Sequence, residues 1–142
     1  MDACETLLIM AALLSAIAAL LHLGILIGGP SWYQFFGAGR RMVRLAQTGS
    51  WYPPIITAMI MAMLFLWALY ALSAAHLLMR LPWTKLVLSC VTAAYLLRGI
   101  IALPALALLH KKISPFWIWS SAICTVYGLV HLAGVYLAWS TL

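Results

Sequence analysis

Pro30-Ser-Trp-Tyr-Gln-Phe-Phe-Gly-Ala-Gly-Arg-Arg-Met-Val-Arg-Leu-Ala-Gln-Thr-Gly-Ser-Trp-Tyr-Pro-Pro54 is the only long stretch of this 142-residue chain that is not continuously apolar. It carries three of the eight Lys and Arg residues, Arg40, Arg41 and Arg44. Two Trp-Tyr pairs bracket it, Trp32-Tyr33 and Trp51-Tyr52. Read as a connection held at a membrane surface, it turns the apolar runs on either side into spans.

The composition supports that reading. The residues are 67% hydrophobic and 7% charged, with mean hydropathy +1.10. A soluble domain carries roughly 25% charged residues, so this surface must face lipid. The length fits one domain. The net charge of +6 is scattered among apolar runs and gives no nucleic-acid footprint. In a membrane protein, Lys and Arg mark orientation and contacts with lipid phosphates. Cys4, Cys90 and Cys124 form no Cys-x-x-Cys pair, against thiol-disulfide chemistry and a zinc knuckle. The first charges are Asp2 and Glu5, whereas a cleavable signal begins with positive charge. The first apolar run is therefore expected to be retained.

Four spans follow, at about 7–27, 55–79, 83–109 and 116–139. Each matches the ~20 residues needed to cross a bilayer. Gly28-Gly29-Pro30 stops the first, Pro53-Pro54 opens the second, Pro104 kinks the third and Ser114-Pro115 precedes the fourth. The turns at Arg80–Pro82 and His110–Ser114 are short, which makes sequential helices antiparallel neighbours. The expected fold is an all-α integral membrane protein, a four-helix antiparallel bundle with a basic, aromatic segment at residues 30–54. That segment should hold an interfacial helix from about Tyr33 to Gln47, unless Gly37-Ala-Gly39 breaks it into a loop and a helix.

Arg40, Arg41, Arg44, Lys111 and Lys112 fall in the first and third connections, against Arg80 and Lys85 on the other side. The positive-inside rule puts those connections in the cytoplasm and both termini in the periplasm of a bacterial inner membrane. An aromatic belt at the span ends agrees.

Ionisable residues inside spans are costly and demand a reason. Arg98 lies about fifteen residues into span three, near the expected bilayer middle, and Asp2 and Glu5 are at the far surface. Its counter-group is a carbonyl, a hydroxyl, water, another chain or an anionic ligand. His22 shares a small-residue face with Ser15, Ala18 and Ala19. His131 shares a polar one with Ser120, Cys124 and Tyr127. With Tyr95, these residues outline a ligand pocket of Arg98, His22, His131, Tyr95, Tyr127 and Ser120. Arg40, Arg41, Arg44, Trp32, Tyr33, Trp51 and Tyr52 form a headgroup interface. A weak echo, Leu21-His22-Leu23-Gly24 against Val130-His131-Leu132-Ala133, suggests an inverted pairing of spans one and four.

Haem needs two imidazoles at one depth; His22 falls in the cytoplasmic half and His131 towards the outer half, so haem is not expected. Zinc would need a third ligand, and no cofactor or metal is expected. No Gly-x-Ser-x-Gly or His-Glu-x-x-His motif is present. In layout, with four spans, outward termini and a basic cytoplasmic first connection, the chain resembles the membrane-associated glutathione- and eicosanoid-metabolising proteins. Its Arg40-Arg-Met-Val-Arg-Leu-Ala-Gln47 run departs from that family's Glu-Arg and Arg-Ala-His-Asn elements, so no functional residue carries over. The expected function is a binding or accessory module for an anionic lipid or a membrane partner, no catalytic residue being assigned. The alternatives are a small enzyme on a lipophilic substrate, as the resemblance implies, and a homo-oligomeric carrier or channel.

Overall fold

The computed structural model describes residues 2–100 and 115–142. Their regular structure is helical throughout: α1 (Ala3–Phe35), α2 (Arg40–Gln47), α3 (Tyr52–Ala74), α4 (Thr84–Ile100) and α5 (Pro115–Leu137). Three of these, α1, α3 and α5, are long and apolar enough to cross a membrane. The third predicted span is described only through the 17 residues of α4. Its remainder, with Pro104, the His110–Ser114 turn, Lys111 and Lys112, lies outside the described residues.

Side-chain size separates the two kinds of surface. Exposed positions carry Ile17, Leu20, Phe65, Leu66, Leu97 and Ile123, whereas buried ones are largely Ala11, Ala12, Ala19, Ala68, Ala71 and Ala74. In lipid the inward-facing side chains gain little from hydrophobic transfer, so close packing of small residues carries association. Gly99 and Gly128 show how close α4 and α5 come. A Cβ on Gly99 would meet Thr125, with the Thr125 backbone N at 2.8 Å, and one on Gly128 would meet the Leu96 side chain at 2.7 Å.

The long helices form a ring. α1 lies along α3 and α4 along α5, and the two pairs join through α1–α5 and α3–α4 contacts. α1 and α4 therefore stand on a diagonal. Their buried positions repeat in register: Leu8, Ala11, Ala12, Ser15 and Ala19 answer to Leu88, Val91, Thr92, Tyr95 and Gly99. The correspondence runs between α1 and α4, two spans apart, whereas the sequence echo pairs span one with span four.

The helix ends differ from expectation for local reasons. Gly28-Gly29-Pro30 interrupts α1 without ending it. Gly29 takes φ +62° and ψ −148°, and helical structure resumes at Pro30, where a missing N–H is harmless. The true stop is a Schellman turn at Gly37, φ +60°, with Gly37 N–H bonded to Gln34 O and Ala38 N–H to Tyr33 O. The helix expected over Tyr33–Gln47 is thus confined to α2, and Tyr33 belongs to α1. α3 stops at Ala74, five residues short of the predicted end, because His76 (φ +58°) takes the left-handed position of another Schellman turn. His76 N–H reaches Ser73 O and Leu77 N–H reaches Leu72 O. The apolar run Leu77-Leu78-Met79 prolongs the hydropathy signal past a real helix end.

Candidate functional site

Two polar groupings sit among the long helices. The first is a chain of hydrogen bonds on the α1–α4 diagonal. The Ser15 hydroxyl lies 3.0 Å from the Tyr95 hydroxyl and 3.4 Å from His131 Nε2. His131 Nδ1 is 2.8 Å from the Tyr127 carbonyl, one turn back on α5. That carbonyl can only accept, so in the neutral imidazole Nδ1 carries the proton and Nε2 accepts. Ser15 O–H then donates to Nε2 and Tyr95 O–H donates to Ser15. Tyr95 packs edge-on to Trp67 at 5.2 Å and to Tyr127 at 5.6 Å, and tilts on His131 at 5.1 Å.

This chain could in principle activate a serine, but Ser15 and His131 are both 0% exposed. Every donor and acceptor has an internal partner, and no buried side-chain polar atom is unsatisfied among the described residues. In hydrocarbon an inter-helix hydrogen bond of this kind contributes about 0.6 kcal/mol, at most ~1.7. Its direct effect is to fix the register of α1, α4 and α5.

The second grouping surrounds Arg98. Its guanidinium donates to Ser121 Oγ at 3.1 Å and Ser120 Oγ at 3.0 Å, and lies 4.6 Å from the centre of the Trp117 ring. The planar fork of arginine suits two adjacent hydroxyls and an aromatic face together. Ser120 and Ser121 stand five and six residues after Pro115, roughly 8 Å into α5 at 1.5 Å per residue. Arg98 is therefore level with the second turn of α5, counted from Pro115.

The predicted pocket residues thus divide. Tyr95, Tyr127 and His131 come together, joined by Ser15. Arg98 and Ser120 form a separate pair. His22 joins neither, since its Nδ1 bonds the Ala18 carbonyl of its own helix at 2.7 Å. Ser121 and the bridging role of Ser15 escaped sequence reasoning. The adjacent serines were a signal for the fork of Arg98. Nothing in sequence pairs Ser15 with residues 80 and 116 positions away. Among the described residues, no group of three His, Cys, Asp or Glu side chains could hold a metal.

The predicted interface residues gather at one end. Arg40, Arg41 and Arg44 are all exposed, and α2 has no buried residue. Trp32, Trp51 and Tyr52 are exposed beside them, with Phe35 at 80%. Tyr33 instead turns inward, its hydroxyl 2.8 Å from Thr57 Oγ1, and so ties the end of α1 to α3. The Trp32 ring folds back over α1. It lies 2.9 Å from where a Cβ of Gly24 would be and covers Gly28. A cleft of about 220 Å³ runs between the α1 kink and the α2–α3 turn, past Leu26, Tyr33, Ala46 and Trp51. No protein-family model matches the chain, and neither a curated protein nor a solved structure matches it.

Proposed function

We propose that this protein is a four-span membrane protein of the bacterial inner membrane, acting as a binding or accessory module for anionic lipid through its α2 collar. The first connection faces the cytoplasm. The observation that carries the reading is the joint exposure of Arg40, Arg41 and Arg44 beside Trp32, Phe35, Trp51 and Tyr52 at one end of the long helices. Aromatic rings of that kind sit at headgroup depth, and a short basic helix there meets lipid phosphates. Each arginine near an anionic leaflet contributes about 1 kcal/mol, so three give about 3 kcal/mol, on the order of a hundredfold in lipid retention.

The Arg98 and His131 groupings support this module as packing elements. Ser15, Tyr95 and His131 bond to one another, Arg98 bonds Ser120 and Ser121, and the cleft beside α2 is lined by none of these residues. The enzyme alternative, with His22 or His131 as acid/base and Arg98 as anion clamp, draws less support: His131 is fully enclosed and the Nδ1 of His22 is bonded to the Ala18 carbonyl of its own helix.

The test is native mass spectrometry from mild detergent after reconstitution with dioleoylphosphatidylglycerol and dioleoylphosphatidylcholine. Wild type should retain the anionic lipid preferentially, and Arg40→Ser/Arg41→Ser/Arg44→Ser should lose that preference. Equal retention of the two lipids by wild type would overturn the proposal.

A further inference from the structure

The break in α1 leaves residues 30–35 as a short arm beyond a joint at Gly29. The φ of +62° and ψ of −148° at Gly29 suit glycine alone, and nothing lies within 4 Å of its Cβ position. Pro30 has no N–H to return to the carbonyl of Leu26, four residues back, so the helical bond that would stiffen the joint is missing. Residues 36–39 connect the arm to α2. Gly37 N–H bonds back to Gln34 O and Ala38 N–H to Tyr33 O, so the connection is a closed turn and α2 follows the arm.

The arm is held on both sides. On the inner side the Tyr33 hydroxyl meets Thr57 Oγ1 at 2.8 Å and ties it to α3. Across the joint, Ser31 Oγ donates to Gly28 O at 3.0 Å. On the outer side the Trp32 indole lies lengthwise along α1, its six-membered ring 2.9 Å from the Cβ position of Gly24 and its pyrrole edge on that of Gly28. At both positions the nearest atoms all belong to Trp32, and the flanking Leu20 and Ile27 are exposed. Glycine is the poorest helix former after proline. Two of them one turn apart weaken α1 locally, and what they admit is this ring. Covering an outward face gains little by transfer, because lipid tails would cover it as well. The contact acts through its shape, which holds the arm at one angle.

We infer that Trp32 is the positioning residue of the α2 collar: its ring, seated on Gly24 and Gly28, braces the arm across the Gly29 joint and sets the depth at which Arg40, Arg41 and Arg44 meet lipid headgroups. The inference rests on the lipid-binding reading of the collar. It separates Trp32 from an ordinary interfacial aromatic, for which a ring at headgroup depth is enough; here the seat matters as much as the ring. With the outer tie gone, the arm can turn on the inner one and carry α2 with it.

The experiment uses the full chain in vesicles of dioleoylphosphatidylglycerol and dioleoylphosphatidylcholine. A spin label on Gln47→Cys, with Cys4, Cys90 and Cys124 changed to alanine, reads the depth of α2 from collisions with oxygen and a nickel chelate. Gln47 is exposed and is the last residue of α2. Native mass spectrometry after extraction into mild detergent reads the preference for the anionic lipid. Gly28→Leu keeps the ring and removes its seat, Trp32→Ala removes the ring, and Trp32→Phe keeps a flat ring for the seat. Trp119→Ala removes an exposed tryptophan of α5, outside the collar. Gly28→Leu and Trp32→Ala should each shift the label's depth and lower the preference about fivefold or more, as much as one arginine out of reach of the phosphates. Trp32→Phe and Trp119→Ala should do neither. Circular dichroism checks the helix content of each variant, and Gly24→Leu takes the place of Gly28→Leu should the latter lose helix. Unchanged depth in Gly28→Leu and Trp32→Ala overturns the inference. So does a shift in Trp32→Ala alone, which makes the ring an anchor in the headgroups and not a brace. A wild type that prefers neither lipid would sink the lipid reading, while a depth shift in both variants would still uphold the brace.

Discussion

Arg98 tests how this protein tolerates charge inside its helices. The perturbations are Arg98→Leu and, separately, Ser120→Ala with Ser121→Ala. Arg98 makes two hydrogen bonds, at 3.1 and 3.0 Å, and one cation–π contact at 4.6 Å. At about 0.6 kcal/mol per bond within a membrane and about 1 kcal/mol for the ring contact, the guanidinium gains about 2 kcal/mol. Placing an arginine at a helix centre costs about 2.5–3.5 kcal/mol, and the position near the α5 end lowers that figure. Gain and cost nearly cancel, so Arg98→Leu should change stability by no more than about 1 kcal/mol in either direction. Removing both serine hydroxyls keeps the charge and deletes its acceptors. Arg98 is half-buried, so leaving its guanidinium without these acceptors costs about 1–2 kcal/mol. The serine variant should therefore be the less stable of the two. Reversible unfolding in mixed micelles, followed by circular dichroism, measures both. If Arg98→Leu proves more damaging than the double serine variant, the cancellation is wrong and the arginine has a role beyond its two serines.

Four further outcomes follow from local geometry. Gly99→Ala should destabilise by about 1–3 kcal/mol in the same unfolding assay, because its Cβ meets the Thr125 backbone N at 2.8 Å and backbone cannot swing aside. Gly29→Ala should cost about 1–3 kcal/mol for a different reason: nothing lies within 4 Å of its Cβ, but φ +62° with ψ −148° is nearly closed to L-residues. Gly28→Leu should expel the Trp32 ring from α1, read as a shift in emission against a Trp32→Phe control. Tyr33→Phe should cost about 0.6–1.7 kcal/mol by breaking the 2.8 Å bond to Thr57, with a Thr57→Val partner closing a thermodynamic cycle.

The spans were legible because one quantity, apolar length, decides them. α1, α3 and α5 appear where the hydropathy put them, and Pro53 falls in the first turn of α3 as its chemistry requires. The ends were less legible because hydropathy does not see hydrogen-bonded turns. His76 could not be read as a helix stop, since the Schellman position is ordinarily glycine. Gly29-Pro30 looked like a stop but joins two stretches of helix. For the site, composition showed that Arg98 and His131 needed partners. It could not say that the partners were serines of α5 for one and of α1 for the other, because those choices depend on which helices stand side by side.

The diagonal hydrogen bond between Ser15 and Tyr95 gives a reason for that arrangement. The two residues occupy matching places in the repeated burial pattern of α1 and α4, and they meet each other at 3.0 Å. Equivalent positions on a diagonal both point at the centre of the ring, so the space between them is shared. Two tyrosines would overfill it and two serines would leave a void, each at a cost of a few kcal/mol. One large and one small residue fill it once. The asymmetry then passes to α5, where His131 takes up the remaining Ser15 contact at 3.4 Å. On this argument the polar chain is a consequence of filling one central gap between two similar helices, and the surfaces left free to meet other molecules lie at the two ends.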